Sequence, residues 1–184
     1  GYNTLLLQYD RNIDFESKEK RLLKLYTTLK IDQPIQFNTW HIPVCYDDEF
    51  GMDLPLFEDR GLSRDDVVRL HTSARYRIFM IGFLPGFLYL GGLPKLLHLE
   101  RKDKPRTHVS KGSVAIGGEQ TGIYPTSSPG GWQIIGRTPL TLFDISLQKP
   151  TPIRQGDQLY FYEIDKITYK ILSSHKEKSE TQKV

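Results

Sequence analysis

Cysteine is almost absent. Cys45 stands alone among 184 residues, so no intrachain disulfide can hold this chain together. That composition suits a reducing compartment, and a cytoplasmic protein is expected. No run of about 18 apolar residues occurs and no signal-peptide pattern is present, which argues against a helical membrane span. Charge of one sign is not in excess either: 25 Lys and Arg face 22 Asp and Glu, for a net charge of +3. The basic clusters alternate with acids, as in Glu100-Arg101-Lys102-Asp103-Lys104, so solvated faces account for them better than a nucleic-acid surface. His41, His71, His98, His108 and His175 fall in separate segments without ligand spacing, and no metal site is expected. There is no Gly-x-x-x-x-Gly-Lys-Ser/Thr loop for a nucleotide, no Gly-x-Ser-x-Gly elbow around Ser128, and no internal repeat.

Glycine, proline and aromatic residues are concentrated instead in three stretches: GFLPGFLYLGGLP (82–94), PRTHVSKGSVAIGGEQTGIYP (105–125) and SPGGWQIIGRT (128–138). Glycine serves where the backbone turns through positive φ or approaches a neighbour closely, and proline where a turn must be stiff. Such loops, carrying Tyr, Trp, Arg and Gln, describe a rigid surface of the kind that hosts binding or catalysis.

The length allows one good core or two small ones, and a core without staples. Residues 4–9 (TLLLQY) read as a buried strand. Asp14 and Ser17 offer N-caps for a helix over 15–29, with Leu22, Leu25, Tyr26 and Leu29 at three- and four-residue steps. Residues 31–34 read as a break and 35–46 as strand-rich. One strand, one helix and one strand cannot stand alone, so this lobe reads as incomplete or packed on the rest, with its true N-terminus missing. Ser63 caps a second helix carrying Val67, Val68 and His71, and 74–83 reads as a strand entering a core. Beyond it come short strands at 113–116, 122–124, 132–135, 140–143, 158–164 and 167–172. A turn at 151–157 precedes the last two, and the polar residues after 173 read as disordered. Many short strands without long helices indicate a β-barrel or sandwich.

The side chains able to carry chemistry leave several readings open. His71, at a helix end, is either a cation favoured by the helix dipole or a general acid/base. Arg106 and Arg137 are forks for a carboxylate, on a substrate or within the protein. Gln120, Thr121 and Tyr124 are neutral groups that orient an amide or bond loop backbone. Phe87 and Tyr89 line a cleft or fill a core, while Phe83 and Leu90 read as a hydrophobic corner. Ser128 opens a Gly-Gly turn before Trp132 that forms an anion-holding nest or a plain turn rather than a nucleophile site.

The three stretches, with Ile42-Pro43-Val44-Cys45-Tyr46, Phe50-Gly51-Met52-Asp53-Leu54 and Leu70-His71-Thr72, resemble the allophanate hydrolase subunit 1 family across residues 2–165. That family takes in the B subunit of the three-component 5-oxoprolinase and an inhibitor of a sporulation histidine kinase. Ser110-Lys111 departs from its usual proline and small residue, at a turn. The resemblance implies a mixed α/β chain: the final part of a small α/β N-terminal domain at 1–37, a cyclophilin-like β-barrel at 38–173, and a tail at 174–184. It also implies work beside a second cyclophilin-like subunit and a third subunit, with ATP acting through the complex, to open 5-oxoproline to glutamate. Leu84, Phe87 and Trp132 are candidates for the contact with a partner. The catalytic set so implied is His71, Arg106 and Arg137. Substrate would lie against Phe87, Tyr89, Gln120, Tyr124, Ser128 and Trp132. A subunit of an allophanate or urea-amide hydrolase, a kinase inhibitor without chemistry, and a prolyl isomerase by fold analogy are the competing readings.

Overall fold

The computed structural model describes residues 2, 4–9, 12–29 and 35–174. The expected break at 31–34 and the expected tail after 174 lie outside the described residues. The chain divides into two compact units, Gly1–Gln36 and Phe37–Val184. In the first, α1 (Phe15–Thr28) starts where Asp14 accepts a hydrogen bond from the Ser17 amide at 3.4 Å, as its sequence requires. The expected strand at 4–9 is not formed. Residues 4–9 have no regular structure, because an apolar run becomes a strand only when a neighbour completes its ladder, and no described strand of this unit does so.

The second unit is built on a seven-stranded sheet that curls into a nearly closed barrel. Its strands are β1 (Thr39–Val44), β2 (Tyr76–Ile81), β3 (Leu88–Gly91), β5 (Ser113–Gly117), β6 (Gln120–Ile123), β8 (Gln133–Arg137) and β9 (Gln158–Glu163), in the order β1-β9-β2-β3-β6-β5-β8. β1 and β9 run parallel, from Thr39 opposite Gln158 to Val44 opposite Glu163; the other neighbours are antiparallel. The two outer strands meet just beyond the end of β1. The Cys45 amide donates to the Arg137 carbonyl and the Arg137 amide to the Cys45 carbonyl, both at 2.9 Å. A separate ribbon pairs β4 (Arg106–Val109) with β7 (Ser128–Gly130).

Buried polar groups fasten this frame. The Asp157 carboxylate accepts from the Trp40 indole N–H at 2.8 Å, the Asn38 amide at 2.9 Å and the Arg154 amide at 3.0 Å, tying the start of β1 to the turn before β9. Between α2 (Pro55–Glu58) and β2 lies α3 (Arg64–Ser73), whose Ser63 cap and Asp66 form a reciprocal capping box. α3 buries Val67, Val68 and His71, the last among the side chains of the barrel.

Two expected strands differ. Residues 167–172 belong to α4 (Lys166–Ser174): the Asp165 carboxylate accepts the Thr168 amide at 2.6 Å and caps a helix, overriding the β-branched composition. Residues 140–143 form no ladder. Pro139 lacks an amide donor, Leu142 is buried in the core, and the Phe143 ring lies over Gly86.

Candidate functional site

β5 is buried on both faces, as is β6 beyond its half-buried Gln120, so Val114, Ala115 and Ile116 run on without a polar break. Inward, Val114, Ile116, Leu88, Leu90 and Ile123 fill the barrel; outward, Phe87, Ala115, Tyr124, Trp132, Ile134 and Val109 make a second, smaller core. Small residues on the outer side make room for the rings. A Cβ added to Gly117 would sit 2.5 Å from the Trp132 indole, and one on Gly130 would collide with the Tyr124 hydroxyl. Phe87 is the hub, edge-on to Tyr124 at 5.0 Å and to Trp132 at 5.4 Å, and 4.7 Å from Tyr89. The Tyr124 oxygen accepts from the Trp132 amide. Burial raises the hydroxyl pKa of both Tyr89 and Tyr124, so both stay protonated.

The motif loops therefore converge, but as packing rather than as an open cleft. Phe87, Tyr124 and Trp132 are buried; Tyr89 and Gln120 are half-buried at the margin. That corrects the expectation of Phe87, Tyr124 and Trp132 as a substrate-lining wall and of Phe87 and Trp132 as exposed partner contacts. Ser128 sits in the β4–β7 ribbon opposite Val109 and donates to the Pro129 carbonyl at 3.1 Å, so the expected turn begins as a short strand. Leu90 is buried as expected, but Phe83 is exposed instead of forming a corner.

Arg106 lies beside this cluster and is committed to the protein. Its Nη2 donates to the buried Asp53 carboxylate at 2.6 Å, and Lys102 Nζ lies 3.3 Å from the same oxygen. Asp53 also accepts the Ile134 amide at 2.6 Å, while its own amide donates to the Ile134 carbonyl at 3.0 Å. One carboxylate thus pins β8, the ribbon and the segment before it. Asp53 lies within a motif, but nothing in the sequence shows which cation reaches it. Arg101, next to Lys102, carries no sequence signal either. It is exposed, and its positive charge acts on the hydroxyls of both Tyr89 and Tyr124.

His71 and Arg137 are not part of this cluster. His71 is fully buried inside the barrel, stacked on Phe161 with ring centroids 4.5 Å apart. The Thr121 hydroxyl donates to the Ala115 carbonyl at 3.0 Å, so it accepts from His71 Nε2–H at 3.1 Å; Nδ1 then accepts from the Tyr46 hydroxyl at 2.7 Å. Burial lowers the imidazole pKa to about 3. The ring is neutral, both nitrogens are used, and no substrate reaches it, so neither a helix-end cation nor a general acid/base describes it. Arg137 lies at the barrel seam with its guanidinium 4.9 Å from the Phe50 ring, which in turn packs on Tyr169 of α4 at 4.4 Å.

Near that seam opens a cleft of about 400 Å³ lined by Cys45, Asp47, Arg64, Glu163, Ile164, Asp165 and Lys166. Four of its charges are paired, Arg64 with Glu163 at 3.2 Å and Lys166 with Asp47 at 3.6 Å and with the nearby Glu49 at 2.6 Å, while Asp165 caps α4. Among the described residues no group of three or more His, Cys, Asp or Glu side chains is placed to hold a metal ion, and no helix is long and apolar enough to cross a membrane.

Residues 1–153 match the family described as "Carboxyltransferase domain, subdomain C and D". The B subunit of 5-oxoprolinase from Haemophilus influenzae is 44% identical over 88% of this chain and 76% of its own length. That of Bacillus subtilis is 42% identical over 84% of this chain and 65% of its own. For the protein of Escherichia coli O157:H7 the figures are 50%, 65% and 56%. A conserved uncharacterized protein from Pyrococcus horikoshii superposes with a TM-score of 0.69 at 39% identity, covering 84% of this chain and 67% of that one. The urea carboxylase of Kluyveromyces lactis shares the fold at a TM-score of 0.60 and 19% identity, over 86% of this chain and 17% of its own. By its motifs, its nearly closed barrel and these likenesses, the chain belongs to the carboxyltransferase domain, subdomain C and D family, with 5-oxoprolinase B subunits among its relatives.

Proposed function

We propose that this chain is the B subunit of an ATP-dependent 5-oxoprolinase, which opens 5-oxo-L-proline to L-glutamate and needs its companion subunits to do so. The observation that carries the reading is the 44% identity, over 88% of the chain, to a protein named for that subunit. The geometry agrees with a subunit that is inactive alone. His71 is sealed in the barrel, Arg106 is bound to Asp53, and Arg137 lies apart at the seam. The polar groups left at the margin of the aromatic core, Tyr89, Gln120 and Arg101, can orient or bind but include no base poised to take a proton. ATP belongs to the complex in this reading, as does a cytoplasmic setting.

A related amide substrate is the second reading, favoured by 28% identity over 91% of this chain to the urea amidolyase of Saccharomyces cerevisiae, of which the match covers 11%. A histidine-kinase inhibitor would use an open apolar groove, and the buried state of Phe87, Tyr124 and Trp132 gives that reading less support.

The test is to purify the full chain with the companion subunits and follow ATP-dependent glutamate release from 5-oxoproline, with allophanate in a parallel assay. Glutamate release that needs every subunit is the expected result. Turnover of allophanate alone would move the assignment to the second reading, and turnover of neither would remove both.

A further inference from the structure

The turn after β2 holds an aromatic residue in a conformation that favours glycine. Phe83 has φ of +66°, and among the described residues it is the one non-glycine with positive φ. The Leu84 amide donates to the Gly82 carbonyl at 2.8 Å, closing a three-residue turn with Phe83 at its centre. This is the rarer, strained hand of the γ-turn, and a bulky side chain there is an outlier. A second turn braces it: the Phe87 amide donates to the Leu84 carbonyl at 3.0 Å, around Pro85 and Gly86, whose φ is +84°. The Gly82 amide returns to the Phe87 carbonyl at 3.2 Å.

The fold gains little from the ring so positioned. It is 66% exposed and touches the buried Phe87 by an edge at 5.8 Å. Glycine would relieve the backbone, and a polar side chain would suit the exposure. Outliers of this kind are kept where something outside the local packing requires them. Phe87 packs in turn on Tyr89, whose hydroxyl feels the positive charge of the exposed Arg101. Arg101 has neither an ion pair nor a hydrogen bond among the described residues, whereas its neighbours Lys102 and Arg106 share Asp53. A projecting aromatic ring on a rigid turn has the composition of a protein-interface hot spot, and an unpaired guanidinium on the same unit that of a polar rim. A single projecting ring gives a small molecule no enclosure.

Resting on the reading of the chain as one subunit of a complex, we infer that Phe83 is an anchor for a companion subunit. It would enter an apolar socket there, and a carboxylate of the same subunit would meet Arg101.

The test titrates the full chain against the purified companion subunits by calorimetry, using Phe83→Gly, Phe83→Asn and Arg101→Glu. Asparagine tolerates the left-handed backbone and serves as the second removal of the ring. Phe83→Gly is expected to melt at or above the wild-type temperature yet bind about 30-fold more weakly or worse, as loss of a hot spot would. Arg101→Glu should weaken binding about tenfold and lessen its dependence on salt. Wild-type affinity in both Phe83 variants would overturn the inference while leaving the subunit assignment intact. So would a Phe83→Gly melting point several degrees lower, which would make the ring structural. Unchanged assembly with a raised KM would place Phe83 at substrate instead and also overturn it. A wild-type chain that binds no companion would overturn both the assignment and the anchor.

Discussion

Burial turns His71 from the most reactive-looking side chain of the sequence into a fixed part of the core. Its pKa of about 3 lies below the ordinary 6.5 because desolvation disfavours the cation, so the unfolded chain takes up a proton in a range where the folded one does not. Its contribution to stability is complete above pH 6.5 and is lost as pH falls from there toward about 3, at up to about 1.4 kcal/mol per pH unit. Urea unfolding at pH 7, 6, 5 and 4.5 should show this fall in the wild type. His71→Phe, though less stable at pH 7 because Tyr46 and Thr121 lose their partner, should show a shallower one. Equal slopes would mean that the ring titrates normally. At this scale the sequence reveals residue types and not roles. Arg106 is legible as a carboxylate partner, but that the carboxylate is Asp53, 53 positions away, depends on β8 and the ribbon meeting in space.

Elements are most legible where a local signal decides them. Asp14 and Ser63 mark the starts of α1 and α3 because a capping oxygen works through residues two or three positions on. Residues 167–172 mislead because Ile, Thr and Tyr favour strands, while the deciding contact is the Asp165 cap just outside the apolar run. The second core is half legible. Dense glycine near aromatic residues announces close approach, but not that the rings cover the sheet rather than face a ligand. Gly117 tests that arrangement. Alanine there would bring a Cβ to 2.5 Å from Trp132 Cε2 in a cluster closed by Phe87 and Tyr89. The expected cost is about 1–3 kcal/mol, as for other overpacked sites. Tryptophan emission should also shift to the red as Trp132 is lifted toward water. Wild-type stability and emission would show that the indole does not rest on the hairpin.

Whether the seven strands act as one barrel or as an open sheet rests on two hydrogen bonds. An open sheet would leave β1 and β8 as free edges, each a row of unpaired backbone groups, and closure removes both. The motif order in the sequence implies a barrel only through the family it resembles. The seam itself is invisible there, since Cys45 and Arg137 are 92 positions apart and neither side chain makes the bond. Close approach is enforced by Gly136: an added Cβ would lie 2.8 Å from Val44 Cγ1 and 2.9 Å from the Cys45 carbonyl. The second of these neighbours is backbone and belongs to the seam, so it cannot move aside without parting the strands. Gly136→Ala should therefore cost about 1–3 kcal/mol. Its signature in hydrogen exchange should also be local. The Cys45 and Arg137 amides, protected in the wild type nearly as well as those of β5 and β6, should exchange much faster in the variant while the hairpin stays protected. Fast exchange of the two seam amides in the wild type would mean that the sheet is open in solution. Arg137 on Phe50 and the adjoining charged cleft would then lie on a moving edge, not on the rigid rim that the closed barrel provides.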